Sequence, residues 1–392
     1  MAKLIRIEKN TSITDIEEKW EASAGTELIV EISKSSSFEL FCEGIALGRL
    51  KDYKLLGCAI TVKLHHAAVK IDCKGVESLS KVDSLGLVDL TVKHIPEILC
   101  GIFGMQLTYQ AVEFVDFFST EGIEGKKARS LIGSTIWNAI LKNDGVLGDG
   151  KRRYLFSRHD YRVPKKLGPL SHLSFPESTV FRKNIIPIVK SLSSEQMETN
   201  DKQELISTWI YHIAENSFEH GSMDLSNDVP LREYSGVLIE KLVFKNESEV
   251  STRHDIGPMV KDYISNLYEK DQFDGVMTII TVMDGGLGVQ NSLPIKDTSN
   301  DAVTNLGNAF VNGVTRQTVK DANTGFGLFD SVRVVKKLRA GVVIGSGNVF
   351  VFSTFEGKEA NEIDFSKNSS KLGKKSGTSF SILWPSFVAK DP

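Results

Sequence analysis

The chain has 392 residues, 41% of them hydrophobic and 25% charged, with a formal net charge of −3. This composition excludes a disordered or fibrous chain, and the length exceeds one ordinary compact domain, so two or three units are expected. The small negative charge offers no global attraction to nucleic acid or to an anionic membrane, and neither is expected as a partner.

Residues 1–100 form the first expected unit, a small α/β domain. The start, Met1 to Asn10, places a charge every few residues and has no apolar signal-peptide core. Glu27 to Ser33 is a short apolar run bounded by Gly25 and serines, which predicts a buried strand. Phe38 to Leu50 has a loose helical period, and Cys58 to Leu64 reads as a second strand. Strand, helix, strand in this order implies parallel pairing. The arrangement is similar to the STAS-type regulatory domain, in which a helix follows such a strand. All four cysteines (Cys42, Cys58, Cys73 and Cys100) lie in this region without a Cys-x-x-Cys pair, which predicts reduced thiols rather than a zinc site or disulfide framework.

Residues 101–200 are expected to be a connector or helical region. The apolar run from Ile95 to Met105 is too short to span a bilayer and is broken by Pro96 and glycines, and no stretch reaches the roughly 18 consecutive apolar residues needed. A soluble, cytoplasmic protein is therefore expected. Leu147 to Gly168, rich in Gly, Lys and Arg, predicts an exposed loop. A helix-like apolar run follows from Asn184 to Leu192.

Residues 201–388 carry the clearest patterning. Gln203 to Phe218 predicts an amphipathic helix whose apolar face is Leu205, Ile206, Trp209, Ile210, Ile213 and Ala214. Strands are predicted at Gly236–Phe244 and Val276–Met283, then helices at about Asp301–Phe310 and Leu328–Leu338. Three strands follow, at Gly341–Ile344, Val349–Phe355 and Thr378–Trp384. Helices combined with such a strand group predict an α+β sandwich rather than a doubly wound sheet.

Three motifs in this region carry chemistry. On the helix, His212, Asn216 and His220 recur every four residues and form a stripe away from the apolar face. The Asn216 carbonyl oxygen is a hard ligand of the kind Mg²⁺ accepts alongside water and phosphate. A solvated polar stripe is the alternative. Asp284 ends an apolar strand and is followed by Gly285, Gly286 and Gly288. Glycines there admit close backbone approach, and the carboxylate can accept from an exocyclic amine such as that of adenine; a plain Asp-Gly turn is the alternative. Gly325 and Gly327 precede a predicted helix, where backbone N–H groups can hold an anion.

In series, Asn-Ser-Phe-Glu-His-Gly (216–221), Asp-Gly-Gly-Leu-Gly (284–288), Gly-Phe-Gly-Leu (325–328) and Gly-Thr-Ser-Phe (377–380) resemble the N box and glycine boxes of the GHKL superfamily. That superfamily comprises the Bergerat-fold ATP-binding domains of gyrase, Hsp-type chaperones, histidine kinases and MutL. The resemblance covers roughly Glu204 to Trp384. It implies a Bergerat-type α/β sandwich holding ATP and Mg²⁺. In it Asn216 binds the metal, Asp284 reads the adenine amine, and Gly286 and Gly288 let the base approach. Gly325 and Gly327 would cradle phosphates and Thr378 would support the adenine end, with 291–324 as lid and Arg316 as a phosphate contact.

Where hydrolysing members carry a Glu four residues before the metal-binding Asn, this chain has His212. An imidazole near neutral pH can serve as general base, so His212 is the candidate catalytic residue, or else a spectator. Glu215 and Glu219 fit that place less well. His172, in Ser-His-Leu-Ser-Phe-Pro, lacks the acidic neighbour of a phospho-acceptor box, and His65, His66, His94, His159 and His254 show no metal spacing. The readings are therefore a slow ATPase acting as a nucleotide-dependent switch, a serine kinase resembling the anti-sigma-factor class, or a nucleotide-binding module without hydrolysis. In each, the N-terminal half is expected to meet a protein partner or a second copy.

Overall fold

The structure, a computed structural model, describes residues 2–20, 27–32, 36–55, 60–65, 112–115, 146–148, 151–158, 175–193, 199–220, 234–270, 273–286, 288–289, 301–310, 327–355, 369–371 and 377–387. The first sheet is parallel. Its strands β1 (Ala2–Ile7), β2 (Glu27–Ile32), β3 (Ile60–His65) and β4 (Val112–Val115) lie in that order. Helices α1 (Ile13–Lys19) and α2 (Cys42–Leu55) belong to the same region of the chain. Leu28, Val30 and Ile32 turn one face of β2 into the core, as a period of two requires. A capping box starts α1: the Ser12 hydroxyl accepts from the Asp15 N–H while the Asp15 carboxylate accepts from the Ser12 N–H. The expected strands at 27–33 and 58–64, the helix after 38 and the parallel pairing correspond to β2, β3 and α2. β1 and α1 have no counterpart in the sequence reading, because only Ile5, Ile7 and Ile16 of these short elements are buried.

The second sheet is antiparallel, in the order β11-β10-β9-β12-β8-β7-β6-β5. Its strands are β5 (Val146–Gly148), β6 (Arg152–Arg158), β7 (Tyr234–Val243), β8 (Phe273–Asp284), β9 (Gly341–Ser346), β10 (Val349–Thr354), β11 (Ser369–Lys371) and β12 (Thr378–Phe387). The basic segment expected as an exposed loop supplies β5 and β6 instead. Its arginines flank Tyr154 and Leu155, which are fully buried, so the strand hides behind a polar composition. The stretch 101–200 thus contributes β4 to the parallel sheet and β5 and β6 to the antiparallel one.

Helices cover both faces of the large sheet. On one side lie α3 (Ser178–Ser193) and α4 (Asn200–His220), with α7 (Ala302–Asn308) and α8 (Gly327–Lys337). The face predicted for α4 is the buried one: Ile206, Trp209, Ile210, Ile213 and Ala214 join a core with Val237, Ile280, Val282, Phe380 and Ile382. Trp209 and Phe310 both meet Phe380 edge-on, with ring centroids 5.3 and 5.7 Å away. The short helix α5 (Glu247–Thr252) leads into α6 (Pro258–Glu269), which covers the other face, where Tyr263 packs on Phe352. Residues 277–284 of β8 are consequently buried without interruption, as expected for a strand covered on both faces. Helices on an antiparallel sheet make this an α+β architecture, as the sequence implied.

The two units meet where α2 lies on the second face of the large sheet. A Cβ placed on Gly44 would sit 2.6 Å from the Ser379 Cβ, so glycine is what permits this approach. Gly44→Val is expected to destabilise the chain by about 1–3 kcal/mol through overpacking. A guanidinium unfolding series checks this, and an unchanged midpoint would show that α2 docks differently.

Candidate functional site

One end of the large sheet is a row of polar residues. Ser235 of β7 pairs with Asp284 of β8, Asp284 pairs with Thr378 of β12, and Thr378 pairs with Ser346 of β9. Strand alternation places Asp284 on the same face as Ile280 and Val282, the face that α4 covers. Asp284 is 6% exposed. Its Oδ1 accepts from the Gly286 N–H at 2.9 Å, and its Oδ2 accepts from the Ser217 hydroxyl of α4 at 3.0 Å. The helix motif and the strand-end motif, 67 residues apart, therefore meet directly.

The glycines behave as the local geometry demands. Gly288 and Gly377 both have φ of 89°, which side-chain-bearing residues rarely adopt. The Gly377 N–H donates to the Gly286 carbonyl at 2.6 Å, tying the turn after β8 to the start of β12. The Ser346 hydroxyl accepts from the Val289 N–H at 2.8 Å and lies 3.4 Å from the Thr378 hydroxyl. From the opposite face of the sheet, the Lys51 ammonium of α2 donates to the Gly285 carbonyl. Beside Asp284, a small cleft opens between Phe175, Ala214, Ser217, Ser235, Gly236 and Val282.

Burial pushes the Asp284 carboxyl up to about 6. The Gly286 N–H, the Ser217 hydroxyl, the Lys51 ammonium and the Thr378 N–H oppose that push without cancelling it. On α4, Asn216 is the half-buried neighbour of Ser217, about 100° further round the helix. His212 is also half-buried, with Nδ1 3.7 Å from Glu215 Oε2, an ion-pair separation rather than a hydrogen bond. Glu215 Oε1 accepts from the Tyr211 hydroxyl at 2.7 Å. Burial raises the Glu215 carboxyl, but His212 and Tyr211 outweigh it and hold it below its ordinary value.

Of the sequence candidates, Asp284, Gly286, Gly288 and Thr378 come together at the strand end, with Asn216 and His212 on the adjoining helix. Gly327 is the first residue of α8, which packs against α4. Arg316, Gly325 and most of the expected lid lie outside the described residues. Two residues at the site were not singled out by sequence. Ser217 lies inside the quoted motif, where a hydroxyl beside Asn216 was its signal. Lys51 carried no signal, since nothing local links it to a turn 234 positions away. Among the described residues, no group of three or more His, Cys, Asp and Glu side chains is arranged to hold a metal, and no helix is long and apolar enough to cross a membrane. The chain matches no protein-family model, and no curated protein matches it.

The raised Asp284 pKa has a definite consequence for stability. The unfolded carboxyl titrates near 3.8 and the folded one at about 6, so the folded state holds a proton that the unfolded state has released. This contribution is fully present below 3.8 and is lost as pH rises through about 6. It amounts to something on the order of 3 kcal/mol. Asp284→Asn keeps an oxygen for the Gly286 N–H and abolishes this titration. Denaturant midpoints measured against pH should show wild type losing stability relative to the Asn variant across that interval; parallel curves would contradict the assignment.

Proposed function

We propose that the chain binds ATP with Mg²⁺ at the Asp284 strand end, in a Bergerat-type sandwich of the GHKL kind, and acts as a slow ATPase switching a protein partner. The observation that carries this reading is the Ser217–Asp284 hydrogen bond, which joins the helix motif to the glycine-rich turn. Alone, either motif is a common surface feature; joined at a buried carboxylate, they make a site that selects its ligand.

The donor set suits the nucleotide. The Asp284 oxygens accept from Ser217, Gly286 and the Thr378 N–H, and the carboxylate retains a lone pair that can accept from an adenine amine. Gly288, with positive φ, lets the base approach the turn. Asn216 offers one hard oxygen, which suffices for an ion that takes its remaining ligands from phosphate and water. The start of α8, at Gly327, can give backbone N–H groups to phosphate oxygens. Bound Mg²⁺ would neutralise phosphate charge and orient the transferred group.

His212 takes the place of the water-activating residue. Its imidazole lies beside the Glu215 carboxylate, which the Tyr211 hydroxyl in turn fixes. A neutral imidazole at this place can take a proton from water, the nearby carboxylate stabilising the imidazolium that results. If the acceptor were instead a serine on a partner protein, the same positioning would serve phosphoryl transfer, with less demand on the base.

Calorimetry should detect ATP binding that depends on Mg²⁺. Asp284→Asn should weaken it by about tenfold or more, roughly 1.4 kcal/mol. Asn216→Ala should remove most of the Mg²⁺ dependence. Absence of ATP binding by the wild type, or equal binding by Asp284→Asn, would overturn the reading. Following the labelled γ-phosphate separates its branches: free phosphate means hydrolysis, label on a protein means kinase activity, and intact ATP means binding alone. With hydrolysis, His212→Ala should lower turnover by about 10²–10⁴-fold without loss of ATP affinity.

A further inference from the structure

The turn after β8 is gripped from both faces of the sheet, and the grip from the second face comes from the other unit. Lys51 of α2 is only 5% exposed, and its ammonium donates to the Gly285 carbonyl, the peptide immediately after Asp284. α2 reaches this place because Gly44 lies against Ser379 and Ile45 approaches Gly345, so the helix rests on β9 and β12 beside the polar row. Arg49, another cation near it on the helix, pairs with Glu17 at 2.8 Å and approaches Asp52 at 3.9 Å.

We infer that Lys51 is a positioning residue for the nucleotide site, holding the Asp284–Gly286 turn from the N-terminal unit so that docking of that unit sets how well Asp284 accepts a ligand. The inference rests on the proposed role of Asp284 in reading the base. Two physical requirements support it. An ammonium withdrawn from water needs both hydrogen-bond acceptors and an opposite charge, and the turn supplies Gly285 O with Asp284 beside it. A buried carboxylate accepts most strongly from an amine while ionised, and burial works against ionisation here.

The groups that face Asp284 differ in charge, and Lys51 is the cation among them. From α4 comes the neutral Ser217 hydroxyl, from the turn the Gly286 N–H, and from β12 the Thr378 N–H. Ser235 of β7 stands opposite in register. Among the described residues, the charge set against Asp284 is Lys51. Anything that lifts α2 off β12 therefore removes a cation from behind the acceptor, and by reciprocity ligand binding at Asp284 favours the docked unit.

The test is ATP affinity with Mg²⁺, measured by calorimetry from acid to neutral pH on the intact chain. It compares wild type with Lys51→Met, Lys51→Gln and Lys51→Arg. Cooperative guanidinium unfolding establishes that each variant is folded, and Gln, which retains a donor for Gly285 O, provides a second neutral variant if Met does not fold. Wild-type affinity should fall below a midpoint of about 6. The neutral variants should move that midpoint upward by about one pH unit, and Arg should restore it. A folded neutral variant with the wild-type midpoint overturns the inference, because a merely structural lysine would change stability without moving the titration. If the wild type binds no ATP, the proposed function fails separately. The Asp284 carboxyl carbon, followed by NMR, then decides: an upward shift in Lys51→Gln supports the positioning role, and an unchanged titration overturns it.

Discussion

A carboxylate buried at the end of a central strand is the constraint around which this molecule is arranged. Removing Asp284 from water costs several kcal/mol unless its oxygens are hydrogen-bonded and its charge is answered. The Gly286 N–H comes from the strand's own turn, the Ser217 hydroxyl from α4, and the Thr378 N–H from β12. The Lys51 ammonium acts from α2 on the opposite face. Apart from the local Gly286 N–H, each of these donors depends on a separate packing event. The strand end is therefore defined only when both helix layers and the β8–β12 pairing are in place.

The two faces of the sheet play different parts. On the α4 side the core is large and aromatic: Trp209, Phe310 and Phe380 lock the helix against β12, and Phe175, Phe181, Tyr211 and Phe218 pack together near the cleft. That rigidity fixes the direction in which Ser217, Asn216 and His212 project. On the α2 side the contact is close but small in residue size, with glycines and serines facing each other at Gly44, Gly345 and Ser379. A seam of small residues there lets backbone approach backbone. The first face suits a fixed scaffold and the second a contact between units.

Several elements were legible because they rest on short-range chemistry. The α4 apolar face follows a helical period, and its residues are the ones buried. The run ending at Asp284 reads as a strand because both faces are covered, and the glycines after it mark a turn that needs positive φ at Gly288. By contrast, β6 was obscured by its arginines, since Tyr154 and Leu155 are buried between residues that suggest a loop. The strand β4, far along the chain, joins the parallel sheet through pairing with β3, a non-local choice that its own composition does not announce.

Residue types and spacing alone determined that there is an α+β unit late in the chain and an α/β unit early in it. They also singled out Asn216, Asp284 and the glycine turns as the candidate places for ligand chemistry. Those features depend on helical and strand periods and on the φ requirements of glycine, all encoded within a few residues. Tertiary structure alone decided that Ser217 meets Asp284 and that the Asp284 carboxyl is buried enough to titrate at about 6. It also decided that Lys51, 234 positions from its acceptor, stands behind it. Burial and charge proximity are sums over the whole packed molecule, and no local pattern contains them.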